Sequence, residues 1–247
     1  MQWALMPALL LSCVSAVNAG SPPLVTDDSG VLGQGGWEYI LGLEEDRRDA
    51  GDSYLLPRFE VAYGFTDAMQ GAVTISRLVV DEPGASSRSD FDALGFEFKW
   101  QFHAGEKLSF ATAPGYSFPL TDSSTDRGLV DDVRVLSLPL IATYEIGKWA
   151  FDGNLGYEVP SSGRKAVFGG LTAVYQLTDT LQVMGEVYRV DVSGAQEDEA
   201  NWTIGFDLAI NDGLALLFSV GGNIDSNLPR AEELDRAAFI GLRYETS

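Results

Sequence analysis

The chain has 247 residues and carries 36 Asp and Glu against 16 Lys and Arg, a formal net charge of -20. Phosphate backbones are held by clustered Lys and Arg, so this balance excludes nucleic acid as a partner. Glycine, at 27 residues, and aromatics, at 11%, are both abundant, which points to an all-β chain with many turns.

Residues 1–19 read as a secretory signal peptide. Leu5 to Val17 is apolar, and Val17-Asn18-Ala19 places compact residues ahead of a cut at Gly20. No Lys or Arg precedes the apolar run, and Leu10-Leu11-Ser12-Cys13 offers a lipoprotein signal as the lesser alternative. The run is too short for a transmembrane helix, which needs about 20 apolar residues. Cys13 is the sole cysteine, so the mature chain on this reading has neither a disulfide nor a thiolate zinc site.

A leader, residues 20–36, comes next, with Thr26-Asp27-Asp28-Ser29-Gly30 ahead of Gly33, Gly35 and Gly36. Paired acids before a glycine-rich run could mark a metal site or a phosphate loop. A phosphate loop needs a helix directly after it, whereas Trp37-Glu38-Tyr39-Ile40-Leu41-Gly42-Leu43-Glu44 reads as an alternating strand.

From Trp37 to the end, 37–247, the dominant period is two. In Leu94-Gly95-Phe96-Glu97-Phe98-Lys99-Trp100-Gln101-Phe102 one face is apolar and the other small or polar. About twelve such segments are predicted, at 37–45, 55–65, 68–80, 91–102, 107–118, 133–146, 149–159, 165–177, 181–192, 200–210, 214–224 and 236–245. Most have the ~9 to 11 residues that a tilted membrane strand requires, against ~5 to 6 in soluble sandwiches. Short connections (Thr66-Asp67, His103 to Glu106, Gly147-Lys148, Thr178 to Thr180, Asn211 to Gly213) alternate with longer ones near 46–54, 81–90, 119–132, 160–164, 193–199 and 225–235.

That pattern predicts an all-β fold: a transmembrane antiparallel up-and-down β-barrel with short periplasmic turns and longer outer loops. A soluble ligand-binding β-sandwich is the competing architecture, and it gives no reason for every long loop to fall at one end. Aromatics near strand ends (Trp37, Tyr39, Tyr63, Phe65, Trp100, Phe102, Tyr144, Trp149, Tyr175, Trp202, Tyr244) suit membrane interfaces. In this barrel the leader is expected on the periplasmic side, with Asp27 and Asp28 turned toward lumen cations such as Arg58 or Arg243.

Pro23-Leu24-Val25-Thr26-Asp27-Asp28-Ser29-Gly30, with Gly33, Gly35 and Trp37-Glu38, resembles the start of bacterial outer-membrane proteins grouped under the meta-pathway (MetA-pathway) of phenol degradation. Tyr63-Gly64-Phe65-Thr66-Asp67, Leu177-Thr178-Asp179 and Gly241-Leu242-Arg243-Tyr244 fit the same family but recur in many barrels. The resemblance covers the mature chain. It implies a Gram-negative outer-membrane, transporter-like barrel, uptake of aromatic or hydrophobic compounds, and no catalytic residues to carry over. Such barrels commonly finish on an aromatic residue, whereas here Glu245-Thr246-Ser247 come after Tyr244.

Catalysis finds little support. His103 is the sole histidine and falls in a predicted turn; no Gly-x-Ser-x-Gly, His-Glu-x-x-His or phosphate-loop sequence occurs. The acidic pairs Glu44-Glu45-Asp46, Asp131-Asp132, Glu197-Asp198-Glu199 and Glu232-Glu233 lack the ligand spacing of a calcium loop and are expected to be solvated. No enzyme, cofactor or metal is therefore expected.

Alternation assigns Glu38, Arg58, Glu60, Glu97, Lys99, Asp152, Asn154, Glu158, Glu186, Asp207 and Arg243 to the lumen face. These charges could cross-pair and fill the barrel, or line a path. Small inward positions, among them Gly64, Gly95, Gly156 and Gly170, leave room for a narrow pore. The expected function is passage or binding of small, aromatic or hydrophobic molecules, with a filled structural or surface-interaction barrel as the alternative. Expected partners are outer-membrane lipid and lipopolysaccharide, the barrel-assembly machinery and a small solute.

Overall fold

The computed structural model describes residues 22–193 and 198–246. The predicted signal peptide with its cut at Gly20, Glu197 of the acidic run and the terminal Ser247 lie outside these residues. The chain forms β1 (Trp37–Arg48), β2 (Gly51–Thr66), β3 (Met69–Asp81), β4 (Arg88–Ala104), β5 (Leu108–Thr112), β6 (Gly115–Pro119), β7 (Val135–Ile146), β8 (Trp149–Pro160), β9 (Ala166–Gln176), β10 (Leu181–Val192), β11 (Glu199–Asn211), β12 (Leu214–Ser226) and β13 (Arg236–Thr246). One five-residue helix, α1 (Asp122–Asp126), sits in the connection between β6 and β7.

All strands join one antiparallel sheet in which β1 pairs with both β2 and β13, so the sheet closes on itself. β5 and β6 are two halves of one pass, both paired with β4 and β7, so the wall has twelve passes. The predicted segment 107–118 is broken there because Pro114 has no N–H to donate to the ladder. Its carbonyl still accepts from Phe98 N at 3.0 Å. A 12-residue strand such as β7, rising about 3.3 Å per residue and tilted about 45°, crosses roughly 28 Å, close to the ~30 Å of a bilayer's hydrocarbon.

Burial settles which face points inward. Along β7, Val135, Ser137, Pro139, Ile141 and Thr143 are buried, while Leu136, Leu138, Leu140 and Tyr144 are exposed. Leu155 and Leu171 are 64% and 66% exposed on the outer face. Water would penalise such a surface heavily, whereas acyl chains do not. The sandwich reading is overturned by this inversion.

The aromatic belt is dense at the tight-turn end. Trp37 lies 4.6 Å from Tyr63 and Trp149 lies 4.6 Å from Tyr175, ring centre to ring centre. Trp202 departs from it, standing near the loop end of β11.

Two connections differ from the sequence expectation. The first outer loop, predicted over 46–54, is only Asp49-Ala50, because β1 and β2 continue through the charged residues. Arg47 pairs with Asp52 in the ladder, and Arg47 and Arg236 both hold Glu45, at 2.7 and 2.6 Å, so cross-strand ion pairing extends the hairpin. The connection after β6 carries α1, whose first turn is capped by Thr121 Oγ1 accepting from Ser124 N at 3.3 Å.

β13 runs past Tyr244 to Thr246, which pairs with Trp37, so the polar end of the chain still closes the barrel. Arg243 fastens the closure. Its guanidinium lies 2.7 Å from Asp207 on β11 and 3.8 Å from Glu38 on β1. Arg243→Met leaves buried Asp207, half-buried Glu38 and, at 2.8 Å, the exposed Glu245 without their cation. It is expected to cost about 1–3 kcal/mol, less than a fully buried pair because solvent screens the site. A lower midpoint for the heat-modified gel shift would show it; an unchanged midpoint would deny Arg243 this role.

Candidate functional site

The leader is inside the barrel. Gln34 N and Gly35 N bond Asp67 Oδ1 and Gly64 O near the tight-turn end, at 3.1 and 2.9 Å. From there the chain climbs to mid-height. Leu32 N donates to Gln70 Oε1 at 2.7 Å, Ser29 N to Thr143 Oγ1 at 2.8 Å, and Gln101 Nε2 to Ser29 O at 2.9 Å. Val25 N donates to Glu186 at 3.2 Å, Thr26 N donates to the same carboxylate, and Ser219 Oγ donates to Pro23 O at 2.7 Å. The leader, expected outside the barrel on the periplasmic side, instead runs through the lumen, with only its last residues at the tight-turn end. Unsatisfied backbone groups are costly in a closed lumen, and these wall side chains satisfy them.

Asp27 is the anchor. Its carboxylate lies 2.6 Å from Lys99 Nζ, with both side chains nearly fully buried, and Lys99 Nζ also donates to Asp28 O at 3.3 Å. Asn154, its amide oriented to meet both groups, accepts from Asp27 N at 2.8 Å and donates to Asp27 O at 2.9 Å. The expected partners Arg58 and Arg243 are committed elsewhere. Arg58 holds Glu60 at 3.1 Å and reaches Glu44 at 3.9 Å, while Arg243 holds Asp207. Asp28 stays exposed and turns back on its own chain, accepting from Gly30 N at 2.5 Å.

The eleven residues assigned to the lumen are all buried or half-buried. The structure brings Lys99, Asn154 and Glu186 together around the leader. Glu97 and Lys99, two residues apart on β4, form no ion pair with each other, since Lys99 is held by Asp27. Glu60 accepts from Thr74 Oγ1 and Asp152 from Thr143 Oγ1, at 3.1 and 2.8 Å.

The small inward positions do not add up to an open pore. A side chain at Gly64 would strike the Gly33 carbonyl, and one at Gly170 would strike the Thr26 hydroxyl, so both glycines make space for the leader.

Alternation gave the phase of Gln70, Gln101, Thr143 and Ser219, but as neutral residues they carried no signal of a role. The lumen is also less polar than expected. Ile40, Leu217 and Phe239 form one buried inward cluster, and Ala111, Ala113 and Ile141 another. A cavity of about 80 Å³ lies between Pro22–Val25 of the leader and wall residues that include Arg58, Ser219 and Phe239. A larger hollow of about 610 Å³ is framed by outward-facing Leu108, Phe151, Leu171 and Trp202, so it meets acyl chains. His103 is exposed at the end of β4, its ring 5.9 Å from that of Phe110.

A closed twelve-pass barrel with a lipid-type outer face and a charged lumen is the architecture of an outer-membrane β-barrel, and solved structures similar to it in fold include a channel, porins and an autotransporter's translocator domain. The chain belongs to the family described as "Putative MetA-pathway of phenol degradation", whose sequence signature matches residues 28–239, beginning inside the leader. It is similar in structure to the COG4313 outer membrane channel from Pseudomonas putida F1, with a TM-score of 0.67 and 13% identity over 89% of this chain and 98% of that chain. It is also similar to the NanC porin, with a TM-score of 0.61 and 7% identity over 84% of this chain and 98% of that one. The KdgM porin gives a TM-score of 0.54 and 10% identity over 84% and 99%. Identities this low establish likeness of fold. No curated protein matches the chain.

Proposed function

We propose that the chain is a narrow outer-membrane channel for small aromatic or hydrophobic molecules, closed at rest by its own leader. The observation that carries this reading is the composition of the lumen. Apolar side chains, Ile40, Leu217 and Phe239, stand beside fixed charges, and the leader crosses the remaining space on polar contacts that solvent or solute can replace. The family's description, which names phenol degradation, favours an aromatic solute. A pathway for such a molecule calls for passage, with no chemistry at the wall. Removal of residues 1–19 as a signal, insertion by the barrel-assembly machinery and an acidic rim set in lipopolysaccharide complete the reading.

A filled structural barrel is the second reading, favoured by the number of wall groups that hold the leader. Uptake into vesicles separates the two. Liposomes containing the protein are expected to admit phenol-sized neutral aromatics faster than protein-free liposomes, and faster than they admit a sugar of similar mass. Equal rates with and without protein would leave the filled barrel as the answer.

A further inference from the structure

Between the two rims, the lumen-facing cations among the described residues are Arg58, Lys99 and Arg243, and each is held by a carboxylate, at 3.1, 2.6 and 2.7 Å. Carboxylates remain beyond these. Asp92 is met by the Ser76 hydroxyl at 3.1 Å and Asp152 by Thr143, so among the described residues they have hydroxyl donors but no ion pair in contact. Glu158 has less still. It is 2% exposed, and its Oε1 has no hydrogen-bond partner among the described residues.

Directly opposite Glu158 in the β7–β8 ladder stands Ser137, on the same inward face, fully buried, its Oγ also without a partner among the described residues. Side chains in that relation have Cβ atoms about 4.5–5.5 Å apart and can ordinarily bond each other. Here they do not. A buried carboxylate and a buried hydroxyl left this way call for a third group that donates to both. The surroundings restrict what that group can be. The ring of Phe168 lies across Gly156, the neighbouring inward position on β8, and the Tyr188 ring centre is 6.2 Å from that of Phe168. Aromatic faces attract cations, and most strongly where water is excluded.

We propose that this part of the lumen recognises the ammonium group of small organic cations. Glu158 supplies the counter-charge, Ser137 accepts a second N–H, and Phe168 with Tyr188 covers the organic part. An ammonium brings one positive charge and several donors, which a carboxylate and a hydroxyl acceptor answer. A carboxylate or phenolate solute finds every facing cation already taken and is repelled by the surplus of acids. The inference deepens the passage reading and names its preferred substrate class.

The test titrates the full chain, in detergent, with benzylammonium, benzyl alcohol and benzoate, which share one ring and differ in charge. Benzylammonium is expected to bind at least tenfold tighter than the alcohol, and benzoate to give no heat. Glu158→Gln should bring benzylammonium down to the level of the alcohol, while Glu158→Asp keeps most of the preference. Ser137→Ala, a smaller change, should weaken benzylammonium severalfold, so the assignment does not hang on one variant folding. Equal binding of the three probes, a preference that survives in Glu158→Gln, or displacement by an equal concentration of potassium would each overturn the proposal. A barrel that binds benzylammonium selectively but passes nothing would remove the passage reading and leave this one standing. One that passes neutral aromatics without charge preference would do the reverse.

Discussion

Lys99→Met is expected to unseat the leader and raise single-channel conductance severalfold. Lys99 and Asp27 are both almost completely buried and 2.6 Å apart, and removing one member of such a pair costs about 3–5 kcal/mol because the other charge is stranded. The wall does not depend on that pair, since its ladders are intact without it, so the penalty falls on the leader's docking. Three features of the variant should change together: conductance rises, the closed times shorten, and the heat-modified gel shift persists. Asp27→Asn combined with Lys99→Met removes both charges at similar volume and is expected to return conductance toward that of the parent. A single variant with parental conductance would mean that the Lys99–Asp27 contact does not hold the lumen shut.

Removing residues 22–34 is the larger intervention and is expected to give the largest conductance of any variant. The deletion takes away the lumen's main occupant and frees Glu186, Gln70, Gln101, Thr143 and Ser219 from their backbone partners. Each lost hydrogen bond to a charged group is worth about 1.5–3 kcal/mol, and each neutral one about 1. Water entering the lumen recovers part of this. The shortened chain is therefore expected to retain its β circular-dichroism signal and gel shift with a lower midpoint. Uptake of a small sugar, slow in the parent, should become fast. If current and sugar uptake both stay at parental values, the constriction lies in the wall side chains, and the leader is no gate.

Much of the wall was legible in the sequence, and for one physical reason. A strand between lipid and a lumen must alternate, so Leu94 to Phe102 declared both its type and its phase. The eleven charged or polar residues on that phase are all buried or half-buried, in contrast to the exposed apolar residues between them. What alternation cannot carry is the distance between faces. Lys99 stands two residues from Glu97 on its own strand, yet it meets Asp27, 72 residues earlier in the chain and on the leader inside the lumen.

The leader was opaque for a related reason. It has no period, and its contacts are backbone groups met by Gln70, Gln101, Thr143 and Ser219, which nothing local distinguishes from other polar residues. The break at Pro114 escapes an alternation argument because the period runs straight through a residue that cannot donate to the ladder. The short turn at Asp49-Ala50 escapes it because charge outweighs ladder pairing in such a reading. A run of ions looked like a loop, yet ions matched across strands prolong the sheet. Phe168, Ile40 and Leu217 were overlooked because an apolar residue on an inward phase contradicts the expectation of a polar lumen.

The seam between β1 and β13 has a consequence for assembly. Its two lips, paired from Trp37 with Thr246 to Arg47 with Arg236, are the first and last strands of the sheet, so that ladder joins the strands farthest apart in sequence. The leader hangs from the β1 lip, a polar strip that an unclosed sheet would leave in water. Zipping the seam turns the inner face of the sheet into an interior with the strip already tethered at its mouth. Wall and stopper are then finished by a single event, and a chain truncated before Arg236 would have neither.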